Sequence, residues 1–243
     1  MSVTKEELDK IASEYHDKDV MQDKFIEDEC QFYTYKWVFE QMAGCRTVLE
    51  MGYGEGNFTH ELVERGYTPT VIDGSGQLLA KAREIHGDKI ETVHALFEEY
   101  VPAQKFDCLL ATHVLEHVDD PVGLLLHMKN WITDNGKIII IVPNKESLHR
   151  QLAVIMGLQP ALDTLGARDV LVGHQRVYSL GTLEEDVLKA GLAVKAKAGF
   201  FLKTLPNSMM LQYSVELIRA LNQISPMLPQ DLLANIGMVA GKA

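Results

Sequence analysis

Apolar positions in this chain follow two alternating rhythms. Short runs, apolar nearly throughout, cover residues 47–51, 69–73, 90–95, 106–111 and 137–142. Between them, apolar residues recur every three or four positions: Phe58, Leu62 and Val63, then Leu78, Leu79, Ala82 and Ile85, then Val122, Leu125, Met128 and Ile132. The first rhythm predicts strands and the second helices. Punctuation agrees: Gly66 stops a helix over 56–65, Ser75 caps the next, and Asp120-Pro121 opens a third after a short helix at 114–118. Strands with no polar face need cover on both sides, which means a mostly parallel, doubly wound, Rossmann-like sheet in a three-layer sandwich.

The flanks differ. Residues 1–43 read as helical, with Thr4 and Glu7 at capping-box spacing and Leu8, Ile11 and Tyr15 at helical intervals. A second helix over 25–42 crowds Phe32, Tyr33, Tyr35, Trp37, Val38 and Phe39 together. It is either a lid over a ligand or a helix packed on the sheet. Residues 144–178 are too long for an ordinary connection and predict a substrate-side insertion with helical pieces of its own. Thr182 and Glu185 suggest a capping box opening a helix over 183–190. Two last strands, 192–202 and 233–241, flank a Met-rich helical excursion within 205–230, where Met209 and Met210, with Met156, could wall a substrate or simply fill core. Residues 1–243 are expected to form one domain.

Charge and composition narrow the partners. Of 243 residues 47% are hydrophobic, and the formal net charge is -11. An acidic surface argues against nucleic acid or an anionic membrane. No stretch approaches the roughly 18 apolar residues of a membrane span. Cys30, Cys45 and Cys108 lack disulfide or metal spacing, so reduced thiols and a cytoplasmic location are expected. No H-E-x-x-H or C-x-x-C pattern suggests a metal. Monomer and homodimer are both open.

The chemistry gathers at strand ends. VLEMGYGEGNF (48–58) runs a buried strand into glycines at 52, 54 and 56, where bare backbone and a helix N-terminus can face a ligand. A dinucleotide fingerprint needs glycine where Asn57 stands, and Glu50 would repel phosphate. A cationic or zwitterionic ligand fits better. Asp73 ends the second strand, where an acid can accept both ribose hydroxyls.

These segments, E-x-G-x-G-x-G, then VIDGS, then FDCLLATHVLEHVDDP, resemble the class I S-adenosylmethionine-dependent methyltransferases, most closely the bacterial small-molecule and quinone-type O-methyltransferases. The resemblance covers about residues 45–200. It implies a seven-stranded sheet of order 3-2-1-4-5-7-6 with the last strand antiparallel. It also implies that Gly52, Tyr53 and Gly54 pass beneath the cofactor's methionine portion, with Glu50 shaping the turn. Asp73 would hold the ribose, Gly74 and Ser75 would border the adenine, and His113 would face the methionine end. The acid often found after strand three is missing: His94-Ala95-Leu96-Phe97 stands there, leaving the adenine to Ala95, Leu96 and Phe97.

The implied reaction is displacement at the sulfonium methyl by an oxygen or nitrogen of a small-molecule acceptor, giving S-adenosylhomocysteine. A peptide or protein terminus is the second class of acceptor, and a non-catalytic cofactor-binding module the third reading. An NAD-dependent oxidoreductase is disfavoured by Asn57. Catalytic candidates are His174, His117 and His149, each with a packing role as its alternative. Tyr15, His16, Tyr33 or Tyr35, His149, Arg176 and Tyr178 are candidate substrate contacts.

Overall fold

The computed structural model describes residues 4–15 and 23–243. In chain order they form α1 (Lys5–Tyr15), α2 (Lys24–Gln41), β1 (Val48–Met51), α3 (Asn57–Glu64), β2 (Thr70–Asp73), α4 (Gly76–His86), β3 (Glu91–His94), β4 (Phe106–Thr112), α5 (Pro121–Trp131) and β5 (Ile132–Pro143). There follow α6 (Leu148–Ile155), α7 (Ala167–Leu171), α8 (Leu180–Lys189), β6 (Leu192–Phe200), α9 (Asn207–Met210), α10 (Val215–Ile224) and β7 (Asn235–Lys242). One seven-stranded sheet runs β3-β2-β1-β4-β5-β7-β6. β7 is antiparallel to both neighbours, and the other pairs are parallel.

The alternation within β5 shows why the layers form. Ile138, Ile140 and Val142 pack with α5 and α8 on one face, while Ile139 and Ile141 pack with α2 and α3 on the other. Every one of these side chains is fully buried, so the second half of the strand, 138–142, is apolar throughout. A smaller cluster, Ile26, Cys30, Phe201, Met210, Ile218 and Ala234, joins α2 to the excursion before β7. Arg219 of α10 clamps Glu29 of α2 through Nε and Nη2, at 3.0 and 2.7 Å. Among the described residues no helix is long and apolar enough to cross a membrane.

The structure differs locally from the pattern. Residues 114–118 form a turn, not a helix, because Arg176 and Tyr178 take carbonyls that a helix would use internally. The helix expected from 183 begins at Leu180, capped reciprocally by Ser179 and Thr182. Residues 144–178 do carry helical pieces, α6 and α7. Their ends meet: Lys145 N–H donates to Tyr178 O at 2.7 Å, and Asn144 Nδ2 ties to Leu233 O at 2.8 Å. The segment therefore leaves and returns at the carboxyl end of β5, over the carboxyl edge of the sheet.

Candidate active site

A single cavity of about 1000 Å³ lies along that edge. Its floor begins where β1 ends. Gly52, Gly54 and Gly56 have φ of +83°, +53° and +81°, a region that L side chains adopt only with strain. Gly56 is also the residue before α3, and a Cβ there would collide with the Tyr53 phenol. Gly52 and Gly54 therefore present bare backbone to the cavity.

Two acids sit beside this turn. Asp73 is anchored by backbone: Tyr53 N–H donates to Oδ2 at 2.8 Å and Ser75 N–H to Oδ1 at 2.7 Å. Each oxygen keeps a second lone pair, and the residue lines the cavity. Burial raises its carboxyl above the ordinary range, outweighing those two bonds. Glu50 is 2% exposed and accepts from Thr59 Oγ1 at 2.7 Å. Burial, offset in part by Thr59 and aided by Asp73, pushes it up to about 8. A positively charged guest would relieve both acids. Bare backbone, a diol-ready carboxylate and a second acid that a cation would ionise thus fit S-adenosylmethionine; raised to about 8, Glu50 is protonated near neutral pH and does not repel phosphate as its sequence position suggested.

Beyond Asp73 the cavity is closed by α1, part of the 1–43 stretch expected to form a helical lid. Leu8 of α1 lies against Gly74, where any Cβ would meet it, and Asp9 accepts from Ser75 Oγ and Gln77 N. His94 Nε2 sits 3.0 Å from Gly74 O. Leu96 and Phe97 line the cavity.

The opposite end holds the histidines. His113 follows β4 with φ of +55°, a strained position for a non-glycine, and its N–H donates to Ile141 O at 2.8 Å. Its Nδ1 lies 3.0 Å from Oε1 of Glu116, which is fully buried. Burial would raise Glu116, but the His113 bond and the surrounding imidazoles hold it below the usual carboxylate range. His113, whose side chain is 43% exposed, is raised in return: desolvation by the cavity wall is outweighed by the bond to Glu116 and that residue's charge. His117 and His174 meet edge to face, 4.7 Å between ring centres. Burial, with His174 nearby, lowers His117 and keeps it neutral. His174 Nδ1 sits 3.1 Å from Asp169 Oδ1, and Arg150 Nη2 donates to Oδ2 of the same acid at 3.0 Å. Despite burial, His174, Gly166 N–H and Arg150 hold Asp169 well down. His149 is kept neutral by burial and by Lys203 and Arg150, and its buried Nδ1 has no partner among the described residues.

The cavity is thus lined by Glu50, Gly52, Tyr53, Gly54, Asp73, Gly74, Ser75, Leu96, Phe97, His113, His117, His149 and His174 of the expected set. Others lie elsewhere. Tyr53 contributes backbone, since its ring turns inward and its hydroxyl is 3.4 Å from His86 Nε2. Ala95 packs into the main core, its N–H joining strands through Asp73 O at 3.2 Å. Tyr33 faces α10, accepting from Gln223 at 3.2 Å, while Thr34 and Tyr35 of the same helix reach the cavity. Arg176 donates to the carbonyls of Leu115, Val118 and Asp119 and so pins the turn. Tyr178 is 3% exposed, against Leu115 O. Met210 is core, and neither Met156 nor Met209 lines the cavity. The side chain of Tyr15, and His16 entirely, lie outside the described residues. Sequence reasoning passed over Glu116, Asp169 and Phe201. Glu116 stood inside the quoted LEHV run; Phe201, at φ of +63°, carried no signal.

Comparison with known proteins agrees with this geometry. The family profile described as a methyltransferase domain matches residues 20–197. The ubiquinone biosynthesis O-methyltransferase of Actinobacillus pleuropneumoniae serotype 5b is 29% identical over 129 residues, 49% of this chain and 55% of that protein. The Aeromonas salmonicida protein of that name is 25% identical over 199 residues, 75% of this chain and 81% of its own. Several of the curated relatives are matched over only 35% to 55% of their length. Among solved structures, 1,6-didemethyltoxoflavin-N1-methyltransferase of Burkholderia thailandensis, with its substrate and S-adenosylhomocysteine bound, superposes with TM-score 0.59 at 16% identity. That match covers 95% of this chain and 84% of the other, and it speaks to the fold.

Proposed function

The chain belongs to the class I S-adenosylmethionine-dependent methyltransferase family, and on that premise we propose that it moves a methyl group onto an oxygen or nitrogen of a small-molecule acceptor. The observation that carries this reading is the continuity of one cavity from the glycine turn and Asp73 to the His117–His174 pair. Its volume of about 1000 Å³ is at the upper end of what single-ligand pockets have, leaving room for an acceptor beside the donor. The relatives named ubiquinone biosynthesis O-methyltransferases support an acceptor that is methylated on oxygen.

S-adenosylmethionine supplies a methyl on a positively charged sulfur, already an activated leaving group. The chain's own work is then to position partners and exclude water. Asp73 would hold the ribose end, and the glycine turn would lie under the methionine portion. His113, through its backbone, forms the junction between donor and acceptor. At the acceptor end Asp169 fixes the His174 ring by its Nδ1, so that Nε2 is left as a lone pair for the proton an acceptor must lose. His149 offers a second unpaired nitrogen in the same wall.

The test uses methyl-labelled S-adenosylmethionine with a metabolite extract, followed by mass analysis. A single small product gaining the label is expected. Label appearing only in peptides would overturn the small-molecule reading. With the acceptor in hand, His174→Ala is expected to lower kcat by about 100-fold, within the range for a lost acid–base group, while sparing cofactor affinity. Unchanged turnover would remove His174 from the reaction.

A further inference from the structure

We propose that Glu116, His117 and His174 bind one divalent transition-metal ion of the zinc type at the acceptor end of the cavity. Each offers a ligand atom, and these atoms lie within 4.8 Å of one another. Ligands around tetrahedral zinc with bonds of 2.0–2.1 Å stand roughly 3.4 Å apart, so small side-chain rotations close the set. The donors are two imidazoles and one carboxylate, the composition of open catalytic zinc sites and too nitrogen-rich for magnesium or calcium.

A second observation points to the same ligand. Glu116 is fully buried, and while Oε1 meets His113, Oε2 has no partner among the described residues. A buried carboxylate oxygen left unbonded is costly unless something seats there. The outer contacts are those of a metal site as well. Asp169 engages His174 Nδ1, so that imidazole keeps its other nitrogen for an ion. The two segments are tied independently of any ion. Gln175 N–H donates to Glu116 O at 2.8 Å, and its side chain reaches His117 O and Asp119. The donors are therefore held together before an ion arrives.

What the ion does rests on the methyl-transfer reading. His117 and His174 line the cavity, so a vacant coordination position opens towards the acceptor. An acceptor hydroxyl bound there loses its proton to solvent more readily. Its oxygen then forms the new bond to the methyl carbon, and the sulfur keeps the electron pair of the broken C–S bond. His174 serves in that state as a ligand rather than as the proton's destination.

The experiment is a titration of chelator-stripped, tag-free protein with Zn²⁺, and in parallel with Co²⁺ read by its visible ligand-field bands. The expected result is one ion per chain. Glu116→Gln and His174→Ala should each weaken it by at least about 100-fold, while S-adenosylmethionine affinity changes less than about threefold. In wild-type protein, Zn²⁺ should also shift the imidazole ¹H–¹⁵N signals of His117 and His174, a readout that needs no variant to fold. Absence of stoichiometric binding, or binding indifferent to both variants, overturns the proposal; the imidazoles would then be counter-charges for Glu116. Zinc binding without cofactor binding would instead count against methyl transfer and leave the metal site standing.

Discussion

Glu50 gives the sharpest prediction because its environment is both buried and chemically simple. Its carboxyl is 2% exposed, has one side-chain donor in Thr59, and lies near another acid, Asp73. Burial lifts it from 4.5 to about 8. A raised acid binds its proton more tightly folded than unfolded. Its stabilising contribution is therefore complete below pH 4.5 and is lost as pH rises to 8. Integrating the two titrations gives a loss of about 4 kcal/mol between pH 5 and pH 9. Glu50→Gln keeps the shape and the bond to Thr59 but does not titrate. Urea unfolding of both proteins without ligand should show them close at pH 5, with the variant pulling ahead by about that amount at pH 9. A stability difference that stays flat across this range would refute the argument. A cationic guest beside Glu50 would reverse the preference, so cofactor binding at pH 7 should release protons, detectable by calorimetry in buffers of different ionisation enthalpy.

Two further perturbations follow from the geometry. Gly56→Ala forces a side chain into the left-handed region and onto the Tyr53 ring, so a loss of about 2–3 kcal/mol in chemical denaturation is expected. Arg176→Met removes the charged donors that hold the carbonyls of Leu115, Val118 and Asp119. It should cost about 2–3 kcal/mol, read as a lowered Tm, and reduce turnover by releasing the His117 turn.

The sheet was legible because its central strands must be apolar on both faces, a constraint written directly in runs such as Ile138-Ile139-Ile140-Ile141-Val142. The glycine turn and Asp73 were legible for a related reason: positive φ and a strand-end acid leave few alternatives in residue type. The acceptor end was not. Tyr33, Arg176 and Tyr178 are the polar and aromatic residues a binding site would use, but Tyr33 accepts from the Gln223 side chain and the other two donate to the Leu115 carbonyl, so all three serve as braces. Helix phase decides that Tyr35 rather than Tyr33 reaches the cavity, and α2 has too little amphipathic contrast to reveal its phase. Asp169 and His174 meet Glu116 and His117 only through the return of the 144–178 segment, a long-range closure with no periodic trace.

On this reading the glycine turn and Asp73 form a pocket for a sulfonium nucleoside. Isothermal titration with S-adenosylmethionine, S-adenosylhomocysteine and NAD tests it directly, on wild type and Asp73→Ala. The first two ligands should bind one per chain and NAD should not. Asp73→Ala should weaken both by about 3–6 kcal/mol, the loss of two charge-assisted hydrogen bonds. Tight NAD binding, or affinity for S-adenosylmethionine untouched by the loss of Asp73, would contradict the account.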